Sequence, residues 1–387
     1  MKSCCWRAED IYFPEVDVEN FEEYRHGGYH PTLIGDTFCD NRYTIVHKLG
    51  FRGYSTIWLA RDQQLQRYVS LKILAASASG ECAEGTILST LRNGDSAHIG
   101  KQFIPLLLDQ LSFNGPNGHH LCLVGQPFGC SIARCQEDSV DLMFLVDAAR
   151  SIAAQLIMGL SYLQACGIWH GDLHTRNFLL RIPNFDSMST ADLYERYGTP
   201  DEVRVRRIDG SAAGPHAPPH AIYPMIPNMP AKRTLYLPPE AFFEDPITPA
   251  ADIWTLGVNL YEPMGERPLF ETFAWDPDDI IGEMISTLGR PPARWWGRWA
   301  KRAETPVFRP LHQRLWEMGR GETPDTCQWD VAGGELRALE DLLKSMMAFE
   351  PAERPTAERL MASEYMVKWA MPAWERQVRR KDTCARK

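Results

Sequence analysis

Between Tyr43 and about Phe128, apolar and polar positions alternate in short runs. Tyr43-Thr44-Ile45-Val46-His47-Lys48-Leu49 ends at Gly50, and Ser55-Thr56-Ile57-Trp58-Leu59-Ala60 and Tyr68-Val69-Ser70-Leu71-Lys72-Ile73-Leu74 follow. Turn residues separate these runs, which predicts an antiparallel sheet. One helix is expected within the stretch, from about Gly80 to Leu91. From Asp141 the period changes. Leu142, Leu145, Val146, Ala149, Ile152, Ala153, Leu156, Ile157, Leu160 and Leu163 recur at spacings of three and four, predicting a long core helix stopped at Gly167. Residues 181–234 are rich in Pro, Gly and charge, with Pro215-His216-Ala217-Pro218-Pro219-His220 at their centre. They read as an insert and loop with one short helix at Met188–Tyr197 and solvent-exposed histidines. Helical patterning returns beyond Pro238. The expected division is an extended lead-in at 1–40, a small β-rich lobe at 41–128, a larger helical lobe at 129–372 carrying the insert at 181–234, and a solvated basic tail at 373–387. The fold class is α+β.

Charge and cysteine usage narrow the function classes. The 387-residue chain has a formal net charge of −9. That argues against direct nucleic-acid binding and is compatible with a basic partner. No apolar run approaches the roughly 20 residues of a membrane helix, so no membrane partner is expected. Met1-Lys2-Ser3-Cys4-Cys5-Trp6 lacks the apolar stretch of a secretory signal, and the expected location is cytoplasmic and/or nuclear. The ten cysteines show no paired zinc spacing and read as structural thiols.

Three places carry candidate chemistry. Ile168-Trp169-His170-Gly171-Asp172-Leu173-His174-Thr175-Arg176-Asn177 sets Asp172 and Asn177 on a short polar loop between two apolar runs. Phosphoryl transfer from ATP needs a carboxylate to orient and deprotonate a hydroxyl and an amide oxygen to hold Mg²⁺. The bland alternative is a turn whose Asp and Asn satisfy local backbone groups. Leu49-Gly50-Phe51-Arg52-Gly53-Tyr54-Ser55 joins two strands, and is either a turn whose glycines let backbone amides approach phosphates or an ordinary hairpin. Lys72 stands in an apolar strand. It either pairs with Glu84 on the expected helix or carries its charge to the surface.

The order of these pieces resembles the eukaryotic protein kinases: glycine loop, strand Lys72, helix Glu84, connecting strand Leu121-Cys122-Leu123-Val124, then the Asp172/Asn177 loop. Leu237-Pro238-Pro239-Glu240 is similar to the family's Ala-Pro-Glu element. Asp252-Ile253-Trp254-Thr255-Leu256-Gly257 resembles the helix whose Asp braces the catalytic loop, and Arg354 resembles the arginine that pairs with Glu240. The resemblance spans about 310 residues. Tyr24-Arg25-His26-Gly27-Gly28-Tyr29-His30-Pro31, Ile34-Gly35-Asp36 and Arg42-Tyr43 look like the lead-in of the SR-protein kinases. Ile280-Ile281-Gly282-Glu283-Met284 through Pro292 resembles a segment of the wider CMGC group. The His-Gly-Asp-Leu-His loop and the long insert look like the fungal branch. The resemblance implies a bilobal protein-kinase-like fold using ATP and Mg²⁺, with a protein substrate that can be Arg/Ser-rich. Asp172 would accept the substrate proton, Asn177 would bind Mg²⁺, and Lys72, held by Glu84, would contact the α- and β-phosphates. Leu49, Gly50, Gly53 and Ser55 would line the nucleotide, with His174 beside the reacting groups.

Four departures follow from the same comparison. Arg52 replaces the middle glycine of the loop. Gly125 stands where a larger residue usually guards the adenine pocket, which would widen it. His174 replaces the usual catalytic-loop Lys. No Asp-Phe-Gly occurs between Asn177 and Glu240, although its Asp is the family's principal Mg²⁺ ligand. The one Asp-Gly there, Asp209-Gly210, lies inside the insert, and Asp209 is retained as a candidate metal ligand. The missing segment belongs at Met229 to Lys232. Three functions stand: a Ser/Thr protein kinase impaired by this gap, a catalytically inactive pseudokinase acting as a binding module, and a small-molecule phosphotransferase, against which Glu240, Asp252 and Arg354 argue.

Overall fold

A computed structural model describes residues 10–13, 15–80, 82–226, 233–272, 276–299, 301 and 308–385. Cys4, Cys5 and the junction at 229–232 lie outside the described residues. The chain forms two compact units. One comprises Met1–Asn93, Pro105–Cys130 and Leu179–Met229. The other comprises Gly94–Ile104, Ser131–Phe178 and Pro230–Lys387. The fold class is α+β, as expected.

In chain order the first elements are β1 (Thr37–Phe38), β2 (Tyr43–Arg52), β3 (Ser55–Asp62), β4 (Arg67–Leu74), α1 (Ala76–Ser79), α2 (Glu84–Asn93), β5 (Leu107–Gly115) and β6 (Gly118–Gly125). They form an antiparallel six-stranded sheet in the order β1-β2-β3-β4-β6-β5. Alternating residues Tyr43, Ile45, Trp58, Ala60, Val69, Leu71, Ile73, Cys122 and Val124 fill its core. The expected break at Gly50 is absent, and β2 runs on to Arg52. The period of β2 is irregular because its register slips at Val46 and again at Leu49. Ile45 pairs with Ala60 and Lys48 with Trp58, so two residues three apart share one face. An unbulged strand would turn Lys48 to the opposite face. The helix expected at 80–91 is α2, which starts at Glu84, and the short α1 precedes the expected range.

The chain then forms α3 (Ile132–Glu137), α4 (Val146–Ala165), α5 (Thr190–Tyr197), β7 (Glu202–Arg204), β8 (His220–Ile222), α6 (Pro239–Phe242), α7 (Ala250–Met264) and α8 (Pro277–Leu288), with further helices to Ala385. Helix α4 begins later than its pattern predicts. Leu142 has φ +52 and Leu145 an extended backbone, and these two leucines are 50% and 83% exposed. Helix α7 is buried nearly all round, by Ile253, Trp254, Leu256, Val258, Leu260, Tyr261 and Met264. The tail is a helix, Met371–Ala385, packed on α4 near its start, where Arg376 donates to Asp147 at 3.0 Å, while its basic residues Arg379 and Arg380 are exposed. No described helix is long and apolar enough to cross a membrane.

The insert departs most from expectation. Residues 179–229 group with the sheet, whereas 181–234 reads from sequence as part of the helical lobe. Phe185 and Leu193 pack with Val46, Leu59 and Tyr68, and the Tyr194 hydroxyl donates to the Val46 carbonyl at 2.8 Å. A capping box between Ser189 and Asp192 starts α5. Strands β7 and β8 pair antiparallel. Val205, Ala217 and Ala221 join lead-in residues Tyr12, Val18, Phe21, Tyr24 and Tyr29 in one buried cluster. Pro and Gly shape this segment without leaving it as a loop, because Phe185, Leu193, Val205, Ala217, Ala221 and Ile222 pack on the sheet or the lead-in. His220 is half-buried in β8, unlike the exposed loop histidine expected, whereas His216 is exposed as expected, its ring 2.6 Å from Asn117 Oδ1.

Leu193 is fully buried, so Leu193→Ala is expected to lower unfolding free energy by about 2–5 kcal/mol in urea titration. A loss below about 0.5 kcal/mol, the scale of surface substitutions, would contradict docking of the insert.

Candidate active site

In the sheet unit, Lys72 lies on β4 between Ile57 of β3 and Leu123 of β6. Its Nζ donates to Glu84 Oε2 at 2.5 Å and stands 5.2 Å from the centre of the Tyr54 ring. The charge is therefore paired by the first residue of α2. Gly53 and Tyr54 form the turn between β2 and β3, with Leu49 and Gly50 on the incoming strand and Ser55 opening the outgoing one. A Cβ at Gly50 or Gly53 would meet no heavy atom within 4 Å. Glycine there gives clearance above the backbone and relieves no internal clash. Arg52 is exposed. Ser55 is fully buried and its Oγ has no hydrogen-bond partner. A Cβ at Gly125 would lie 3.1 Å from Ser70 Oγ, which donates to the Gln126 carbonyl. The Ser70 hydroxyl thus takes up part of the room that the missing side chain would leave.

In the helical unit, α7 builds the Asp172 loop. Asp252, 1% exposed, accepts the His170 N–H at 2.5 Å and the Gly171 N–H at 2.9 Å. Gly171 has φ +73, a conformation that favours glycine. The Asp172 N–H donates to His170 Nδ1 at 3.2 Å, and Asn259 on α7 donates to the Leu173 carbonyl at 3.2 Å. Burial pushes the His170 imidazole pKa down, against the pull of Asp252 and Asp172. Asn177 Nδ2 donates to the Asp172 carbonyl at 2.9 Å and to its Oδ2 at 3.2 Å. His174 is nearly buried, with Nε2 3.8 Å from Asp172 Oδ2. Asp172, Asn177 and His174 are thereby brought together. Below α7, Arg354 makes a two-pronged contact to Glu240, both bonds at 2.7 Å and both side chains buried.

Asp209 belongs to the sheet unit, in an exposed turn. Its Oδ1 accepts from the Ser211 N–H at 2.9 Å and hydroxyl at 2.6 Å, and Arg207 pairs with the carboxylate. Those bonds hold its pKa down at about 2. They account for the residue as a turn-former, and among described residues no cluster of three His, Cys, Asp or Glu is gathered for a metal. A magnesium ion keeps water and phosphate ligands and needs only one or two protein oxygens, a demand that the Asp172/Asn177 pair fits.

Sequence reasoning missed Glu262. It is half-buried on α7 and accepts from Thr175 Oγ1 at 2.6 Å and from the Tyr236 hydroxyl at 2.7 Å. The signal was a carboxylate within an apolar helix, which requires partners. Burial pushes the Glu262 carboxyl up, and burial beside Glu262 pushes the Tyr236 phenol up.

The sequence profile of the protein kinase domain matches residues 43–366. The chain belongs to the protein kinase domain family. Its relatives of 30% identity or more include kinases of the SR-protein type. Protein kinase dsk1 of Schizosaccharomyces pombe is 39% identical over 168 residues, covering 42% of this chain and 31% of that protein. SRSF protein kinase 3 of Homo sapiens is 36% identical over 172 residues, 43% of this chain and 30% of that protein. A serine/threonine protein kinase of Aspergillus fumigatus is 22% identical over 395 residues, 91% of each chain. The kinase thus spans less than a third of the length of several curated relatives that it matches.

Because burial raises the Glu262 pKa, the folded kinase binds this proton more tightly than the unfolded chain. Its stabilising effect is complete below the ordinary Glu value of about 4.3 and is lost as pH rises through the raised folded value. Glu262→Gln removes that dependence. The unfolding free energy of the variant minus that of the wild type is expected to grow as pH rises through this window. A pH-independent difference would contradict the raised pKa.

Proposed function

We propose that the chain is an ATP-dependent serine/threonine protein kinase acting on Ser in Arg/Ser-rich protein, with turnover reduced by the missing Asp-Phe-Gly segment. The observation that carries the reading is the loop in which Asn177 is tied to Asp172 while Asp252 fixes the backbone just before them. Mg²⁺-ATP supplies the transferable phosphoryl group and the charge that neutralises it. Asp172 accepts the hydrogen bond, and then the proton, of the substrate hydroxyl. Its carboxylate is 36% exposed, open to a polypeptide. Asn177 offers the amide oxygen for the metal. Lys72, oriented by Glu84, meets phosphate oxygens, and the backbone of Leu49, Gly50, Gly53 and Ser55 covers them. Catalysis is then positioning plus charge stabilisation. His174 donates toward the transferring group where the family carries Lys, more weakly and only as its protonation permits. The net charge of −9 suits a basic peptide.

A second reading has one observation in its favour. Without Asp-Phe-Gly, Asn177 lacks its usual companion ligand, and the chain would act as a binding module. Transfer of labelled phosphate from Mg²⁺-ATP to an Arg/Ser peptide separates the two. The wild type is expected to exceed Asp172→Asn by about 100- to 10,000-fold. Equal background from both would leave the binding module.

A further inference from the structure

The sheet unit holds a charged pair that no step above uses. Lys48 directly precedes Leu49 and Gly50, and is 1% exposed. Its Nζ donates to Glu19 of the lead-in, 2% exposed, and lies 5.3 Å from the Trp58 ring centre. Glu19 also accepts from the Tyr24 hydroxyl at 2.5 Å. Burial pushes the Lys48 pKa down and the Tyr24 pKa up. Two ions so far from water persist only as a well-bonded pair, and removal of one leaves the other uncompensated. The bulge at Val46 is what turns Lys48 inward to this contact.

The same segment reaches the far end of the glycine turn. The Tyr29 hydroxyl donates to the Arg52 carbonyl at 2.9 Å. The Gly28 and Gly27 carbonyls accept the N–H groups of Ala76 and Ser77 at 3.0 and 2.7 Å, at the start of the chain that leads to Glu84. Gly28 permits this close path, since a Cβ there would fall 1.8 Å from the Glu23 carbonyl oxygen. Asn117, in the β5–β6 turn, backs the segment by donating to the Tyr29 carbonyl at 2.5 Å and accepting the Gly27 N–H at 2.7 Å.

We propose that lead-in residues Glu19 to Tyr29 are a positioning element of the nucleotide loop. Glu19 fixes the incoming strand through Lys48, and Tyr29 fixes the tip through the Arg52 carbonyl. The proposal rests on the reading of Leu49–Ser55 as a phosphate loop. A loop held in its binding conformation beforehand loses less freedom when the ligand arrives, so the lead-in sets nucleotide affinity without touching nucleotide.

Calorimetric titration of Mg²⁺-ADP into the full chain tests this, with thermal melting alongside. Tyr29→Phe removes one hydrogen bond and is expected to weaken binding about 3- to 10-fold with the melting temperature unchanged. Glu19→Gln keeps an acceptor for Tyr24 but strands Lys48, and is expected to weaken binding about tenfold or more. Combining it with Lys48→Met removes both charges and is expected to restore most of the affinity. Arg25→Ala, on an exposed lead-in pair, is expected to change nothing. In peptide assays the KM for Mg²⁺-ATP should rise while the KM for peptide stays constant. Wild-type affinity in Tyr29→Phe and in Glu19→Gln would overturn the proposal and leave the loop reading standing. No Mg²⁺-ADP binding by the wild type would overturn the loop reading and this proposal with it.

Discussion

One buried carboxylate organises the loop on which the chemistry depends. The backbone at His170 and Gly171 turns sharply, with Gly171 in the left-handed region, and so cannot satisfy its N–H groups within regular structure. Asp252 accepts both. It sits in the first turn of α7, where the helix dipole favours negative charge. Most of the rest of α7 is buried among apolar residues, so the acceptor is carried by a helix fixed in the core of its unit. Asn259, two turns on, takes the Leu173 carbonyl, and Glu262 takes the Thr175 hydroxyl. One helix therefore supports the loop at four successive points, and Asp172 inherits its direction from them.

The sheet unit solves a related problem differently. Its charged groups must be carried by strands whose alternation would otherwise place them wrongly. Lys72 needs no special device, because Glu84 on α2 meets it. Lys48 does need one, and the register slip at Val46 supplies it. The lead-in reaches the Trp58 face of the sheet through Glu19 and Lys48; from the former insert Ile222 joins the cluster on that face, while Phe185 and Leu193 pack with Val46, Leu59 and Tyr68 on the other.

What was legible in the sequence was whatever depends on local order and spacing. The alternating strands, the long helix α4, the Lys72–Glu84 pairing and the Glu240–Arg354 pairing could be read because each rests on a distinctive residue in a distinctive apolar setting. Residues 181–234 could not be read that way. Their Pro, Gly and charge mask a few apolar positions, among them Phe185, Leu193 and Ala221, whose burial depends on distant partners. The inward turn of Lys48 was hidden for another reason, since a bulge leaves no compositional trace in β2. Asp209 drew notice as an Asp-Gly pair, yet Ser211 and Arg207 give it the bonding of a turn. Glu262 went unnoticed because its two partners, Thr175 and Tyr236, lie far from it in sequence.

The support of the Asp172 loop by α7 is tested most directly by amide hydrogen exchange at His170 and Gly171. Both N–H groups are expected to exchange only on opening that approaches global unfolding, and Asp252→Ala should release them while α4 amides stay protected. Exchange in the wild type at the rate of an exposed loop would contradict the account.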